Sequence, residues 1–167
     1  MKRFLSSGKK HLIQTFFWKI IVEKQSINGK RRARKLVLQA LYQWQMSGHE
    51  LCEIEAQFRV ANNMEKVDSG YFCRILYGVP QHIEALEESI IPFLDRPLNG
   101  LNPVELTILR LSAFELFYCP EIPWRVVLDE SVSLAREFGS QEGHRYVNGV
   151  LNNLARQIRK IEISLES

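Results

Sequence analysis

A chain of 167 residues, 46% apolar and 25% charged, is long enough to bury one core and too apolar to be disordered throughout. The net charge is only +3, but residues 1–35 carry eleven Lys/Arg and one acid, Glu23, whereas residues 36–167 carry eleven Lys/Arg and eighteen acids. Such polarity suits a basic surface aimed at a polyanion and an acidic remainder that meets a basic partner. Three separated cysteines, Cys52, Cys73 and Cys119, form no CxxC pair. That argues against a secreted disulfide framework and for a reducing cytoplasm. The scattered histidines give no metal-ligand spacing.

The first 28 residues are open to three readings. They contain Phe16-Phe17-Trp18-Lys19-Ile20-Ile21-Val22. A signal peptide is disfavoured, because Lys19 interrupts the short apolar run and no small-x-small cleavage site follows. The run is also too short to span a bilayer, so no membrane-spanning role is expected. An amphipathic basic helix touching a membrane or a partner is the second reading. A disordered extension is preferred.

From Gly29 the pattern is helical. Ala33, Leu36, Val37, Ala40, Leu41 and Trp44 share one face, and Gly48 is a stop signal. Lys30, Arg31, Arg32, Arg34 and Lys35 crowd the expected first turns, where positive charge opposes the helix dipole; phosphate contact would compensate. Leu51, Ile54 and Phe58 mark a second helix, and Asn62-Asn63 a turn. A third helical region starts near Ser69 and is kinked or divided at Pro80. Arg96–Leu101 reads as a loop.

Asn102, Pro103 and Glu105 then form a capping-box-like start, with Leu101 and Leu106 spaced as a hydrophobic staple. The helix that follows is apolar almost all round and is expected at the centre, with Arg110 and Glu115 as polar exceptions. Trp44 and Phe114 are assigned to the core. Pro120–Pro123 breaks the chain before a helix bearing Val126, Val127, Glu130, Leu134 and Phe138, which Gly139 ends as a left-handed cap. The last helix carries Tyr146, Val147, Val150, Leu151, Leu154 and Ile158, with Gly149 as a close-packing point. The class is all-α: six or seven helices packed as bundles.

Three collinear blocks carry a resemblance. Arg31–Gln45 (RRARKLVLQALYQWQ), Val104–Leu116 (VELTILRLSAFEL), and Ile122-Pro123 followed by Glu130, Ala135, Phe138-Gly139 and His144–Leu151 (HRYVNGVL) resemble the NusB family of transcription antitermination proteins. The resemblance spans about residues 29–160. It leaves 1–28 as an extension unlike typical members and 161–167 as a short, mildly acidic tail. It implies two small helical bundles acting in the cytoplasm. It further implies binding of boxA RNA together with NusE, a small ribosomal-subunit protein, in the transcription elongation complex, in support of ribosomal RNA synthesis. Some members self-associate, so a homodimer is a further expectation.

The resemblance places an RNA-binding element at Lys30, Arg31, Arg32, Arg34 and Lys35. Arginine forks match phosphate oxygens and also stack on unpaired bases. Tyr42, off the apolar face, is a base-stacking candidate or a half-buried seam residue. A second region, Gln141–Tyr146, lies near RNA in the family: Arg145 for phosphate, Tyr146 for stacking and Asn148 for a base edge. Tyr146 packing inward and Asn148 holding the helix junction are the structural alternatives. Glu105, Arg110 and Glu115 are candidates for the NusE surface, with internal ion pairs as the alternative. No enzyme motif is found: no glycine-rich phosphate loop, HExxH or nucleophile elbow. Glu84, Glu87 and Glu88 fit a solvated acidic face better than a metal site. No cofactor is expected. The rival reading is a protein–protein adaptor with no specific RNA site.

Overall fold

The computed structural model describes residues 7–166, and the side chains of residues 23, 24 and 26–166. Eight α-helices appear among these residues: α1 Ser7–Ser47, α2 Leu51–Ala61, α3 Ser69–Gln81, α4 Ile83–Ile90, α5 Pro103–Tyr118, α6 Trp124–Phe138, α7 Gly143–Ile158 and α8 Lys160–Leu165. Short 3-10 turns lie at 64–66, 91–93 and 98–100. The first bundle is α1–α3, the second α4–α7, and α5 packs on helices of both. One continuous core joins them, from Val37 and Leu41 through Phe72 and Ile75 to Leu109, Leu134 and Leu151.

Helix α1 starts well before Gly29. The arginine run therefore sits in mid-helix, where backbone donors are already paired, and the expected conflict with the helix dipole does not arise. The side chains of Phe16–Val22 lie outside the described residues. At the other end Gly48 adopts φ +68 and its N–H donates to Trp44 O at 3.1 Å, the left-handed stop that glycine permits. Helices α3 and α4 part at His82, two residues after Pro80.

The expected start of α5 is present. Asn102 Oδ1 accepts from Val104 N at 2.9 Å and Glu105 N at 3.4 Å, and Leu101 and Leu106 are both buried. Glu105 does not reach back to complete a capping box. It is buried and accepts from Ser140 N at 3.2 Å and Ser140 Oγ at 2.5 Å. Helix α5 is buried on nearly every side, with Phe114 in the core and Trp44 half-buried against it.

Two glycine assignments are corrected. Gly139 is extended (φ −86, ψ −173), not left-handed; a Cβ there would press on Ala135 O at 2.6 Å. Gly149 is exposed, and a Cβ would meet nothing within 4 Å, so it is no packing point. The close-packing glycines are Gly78, which faces the Phe114 ring, and Gly143, which faces the Glu105 carboxylate.

Arg159 closes the end of α5. It is buried, and its guanidinium donates to Leu116 O at 2.7 Å, Cys119 O at 3.1 Å and Glu115 O at 3.3 Å. These carbonyls lie in and just past the last turn of α5, where carbonyls run short of intrahelical donors, and a cation there also complements the negative dipole end. From the same turn Glu162 accepts from Trp124 N at 2.9 Å, capping α6.

Candidate nucleic-acid interface

The five basic residues of α1 do not share one surface, because successive helical residues are about 100° apart. Arg34 stands three and seven residues before Val37 and Leu41, in the apolar stripe, and points inward. It is only 3% exposed. Its Nε donates to Glu115 Oε1 at 2.9 Å, Nη2 lies 2.8 Å from the same oxygen, Nη1 lies 4.0 Å from Glu130 Oε2, and the guanidinium stacks over Tyr71 at 5.2 Å. The expectation of an RNA contact at Arg34 is therefore corrected: its charge is consumed inside the protein. Glu115, expected on a protein-binding surface, is fully buried as its partner. Burial pushes the Glu115 carboxyl up while Arg34 pulls it back.

Lys30 and Arg32 turn toward α3. Lys30 is half-buried, 3.7 Å from Asp68 and 5.9 Å over the Tyr71 ring. Arg32 is exposed and donates to Lys66 O at 3.2 Å, beside an open depression of about 620 Å³ that Asn28, Gly29, Lys66 and Asp68 help to line.

Arg31, Lys35 and Tyr42 lie on the side of α1 next to α6. Arg31 is exposed and pairs with Glu130 at 2.7 Å; Lys35 pairs with Glu137 at 2.7 Å. Tyr42 is half-buried in a small apolar groove of about 170 Å³ with Leu38, Gln39, Val104 and Phe138. Progress along α1 thus matches progress along α6 and ends at the 139–142 loop. At ~1.5 Å per residue, the strip from Arg31 to Tyr42 is roughly 17 Å long.

The 139–142 loop leads into the second region. Arg145 is exposed and meets Glu142 at 3.0 Å. Asn148 is exposed and accepts from Asn152 Nδ2 at 3.2 Å through both its carbonyl and its side-chain oxygen. Tyr146 is half-buried with the Arg96 guanidinium 5.2 Å over its ring; burial and the nearby Asp95 push its phenol up. Its ring face is thus already covered by a cation.

The remaining protein-binding candidates point inward. Glu105 holds the Ser140 loop ahead of α7. Arg110 donates to Glu87 Oε1 from Nε at 2.9 Å and from Nη2, and to Gln45 Oε1 at 2.6 Å from Nη1. Glu105, Arg110 and Glu115 are therefore corrected from outward contacts to internal ones, for one reason: α5 is enclosed by α1, α3, α4, α6 and α7. Sequence reasoning missed Glu130, whose signal was an acid within the apolar stripe of α6. Among the described residues, no cluster of His, Cys, Asp and Glu fits a metal ion, and no helix is long and apolar enough to cross a membrane.

An all-helical, two-bundle protein with a basic strip between a long helix and its neighbour is the class that these features define. Comparison gives the family: the NusB family profile matches residues 31–156, and the chain belongs to the NusB family. It is 70% identical over 146 residues to the transcription antitermination protein NusB of Legionella pneumophila (strain Corby), covering 87% of this chain and 99% of that protein. It is 52% identical over 141 residues to the same-named protein of Pseudomonas entomophila (strain L48), covering 84% and 85%. The solved structure of T. maritima NusB superposes with a TM-score of 0.69 at 27% identity, covering 80% of this chain and 96% of that one. A crystal structure of the antitermination factors NusB and NusE in complex with double-stranded RNA has the same fold. Its TM-score is 0.66 at 24% identity, over 76% of this chain and 96% of that one.

Proposed function

We propose that this chain is a non-catalytic transcription antitermination factor. In this reading it binds boxA-type single-stranded RNA together with NusE, joins the elongation complex and supports ribosomal RNA transcription. One observation carries the RNA part: Arg31, Lys35 and Tyr42 line one side of α1 and lead to the loop before Arg145. Cations then track phosphates while the exposed edge of Tyr42 meets an unpaired base. Arg32 and Lys30 extend the field around the helix. The names of the relatives, and the NusB–NusE–RNA assembly of the fold neighbour, support the same assignment. The acidic remainder of the chain complements a basic ribosomal protein and speeds encounter.

A second reading, a protein adaptor without a specific RNA site, is favoured by one feature. Arg31, Lys35 and Arg145 each already hold a carboxylate. The Lys35–Glu137 and Arg145–Glu142 pairs are exposed on both sides and worth only ~0–1 kcal/mol, so phosphate can displace them, while Arg31 meets Glu130 along one edge and keeps the other for a ligand. The test is titration of labelled boxA-type RNA, a scrambled strand and a duplex of equal length, with and without NusE, while sedimentation reports self-association. Specific binding of the single strand, strengthened by NusE, is expected. Equal, weak binding of all three RNAs alongside tight NusE binding sustains the adaptor instead.

A further inference from the structure

The Arg31 guanidinium is held along one edge only. Nε lies 2.9 and 3.2 Å from the two Glu130 oxygens, and Nη2 lies 2.7 Å from Oε1. Nη1 makes no hydrogen bond to any described residue, and the side chain is 57% exposed. The outer edge, Nη1 with the second Nη2 proton, is therefore turned to solvent in a fixed direction. Glu130 is itself held: it is 8% exposed, and Arg34 Nη1 stands 4.0 Å behind it, with Arg34 anchored on buried Glu115. An arginine on a solvated helix samples many rotamers, and ordering it on binding weakens affinity. Here the ordering is done in the free protein.

We propose that Glu130 is a positioning residue for RNA: it clamps the inner edge of Arg31 so that the outer edge presents a ready fork to a phosphate. The inference rests on the reading of Arg31 as an RNA contact. A free arginine fork matches two phosphate oxygens, whereas a lysine offers only a point charge. The clamp and simple electrostatics give opposite signs. Glu130 is an acid beside a polyanion site, so removing its charge by itself strengthens RNA binding. Removing the clamp weakens it, by roughly three- to tenfold for one rotamer-rich side chain set free.

The test measures boxA-type RNA affinity for Glu130→Gln, Arg31→Ala, Arg31→Lys and the double variants, with thermal melts to confirm folding. Glu137→Gln, which removes an exposed acid facing Lys35, is the charge control. The proposal expects Glu130→Gln to weaken binding three- to tenfold while Glu137→Gln does not weaken it. It also expects Glu130→Gln to have no further effect in the Arg31→Ala or Arg31→Lys background. Arg31 is exposed, so Arg31→Ala and Arg31→Lys alone keep the fold even where Glu130→Gln does not, and RNA binding by Arg31→Lys as tight as wild type then overturns the proposal. Tighter or unchanged binding by folded Glu130→Gln overturns the proposal and makes Glu130 a mask. An effect that persists without Arg31 overturns it too. If Arg31→Ala leaves specific binding intact, the clamp falls while the RNA-binding reading survives; loss of RNA preference in the unaltered protein removes that reading itself.

Discussion

Replacing Arg34 with alanine strands Glu115. Both side chains are almost wholly inside, at 4% and 0% exposure, and Arg34 donates from Nε to Glu115 Oε1 with Nη2 2.8 Å from the same oxygen. Breaking a buried pair by removing one partner destabilises by ~3–5 kcal/mol, because the other charge stays buried and uncompensated. For a domain of this size that lowers the melting temperature by roughly 6–20 °C. Replacing both partners with apolar residues of similar volume, Arg34→Met with Glu115→Leu, recovers most of the loss, since neither charge of the pair is left stranded in the core. Glu130 keeps Arg31 in that double variant. Urea denaturation of the wild type, both single variants and the double variant forms a closed cycle, and a large favourable coupling is expected. RNA affinity of the double variant falls less than that of Arg31→Ala, because Arg34 faces no ligand and reaches the site only through Glu130, 4.0 Å away. The reasoning is refuted if Arg34→Ala melts like the wild type yet loses RNA: Arg34 is then a surface contact.

Further outcomes follow from the packing and the thiols. Gly78→Ala drives a methyl into the Phe114 ring and is expected to destabilise by ~1–3 kcal/mol, read by denaturant midpoint, while Gly149→Ala, in open space, does not. Asn102→Ala removes the acceptor for two backbone donors at the start of α5 and lowers stability by ~1 kcal/mol in the same assay. Cys119 is buried and its thiol is pushed up to about 11 by burial. Alkylation at pH 8, mapped by mass spectrometry, should modify exposed Cys52 readily and Cys119 only after unfolding. Early modification of Cys119 contradicts that burial. Asp95 is held down to about 2, chiefly by the hydrogen bond from Arg96. Its folded value lies below its unfolded one, so its small stabilisation is complete above about pH 4 and lost as pH falls toward 2. Asp95→Asn should flatten that part of the stability–pH curve.

Much of the fold is legible in the sequence because local signals agree with tertiary packing. The Asn102-Pro103 start, the Gly48 stop and the break near Pro80 all act through backbone chemistry that neighbours do not alter. The glycines are less legible: whether a missing Cβ serves conformation or space depends on what packs opposite, and Gly139 and Gly143 both serve space. The site divides the same way. A cluster of five cations announces a polyanion surface, but only the helical phase separates Arg34 from Arg31. That phase was present in the spacing of Arg34 to Val37 and Leu41. A charged residue in an apolar stripe asks for a buried counter-charge, and Glu115 of α5 and Glu130 of α6 supply it. Arg159 on the α5 carbonyls has no such signal, because its partners are backbone atoms 40 to 44 residues away.

The most direct measurement of the central claim, that the Arg31–Lys35–Tyr42 side of α1 carries RNA, is the salt dependence of boxA-type RNA binding. Each phosphate neutralised on a single strand contributes about −0.7 to the slope of log K against log salt. Wild type and Arg31→Ala/Lys35→Ala are compared over the same salt range, each with a melt to verify folding. The account predicts a shallower slope for the double variant, by about 1.4, together with weaker binding at low salt. An unchanged slope in a folded double variant contradicts it and moves the RNA off this side of the helix.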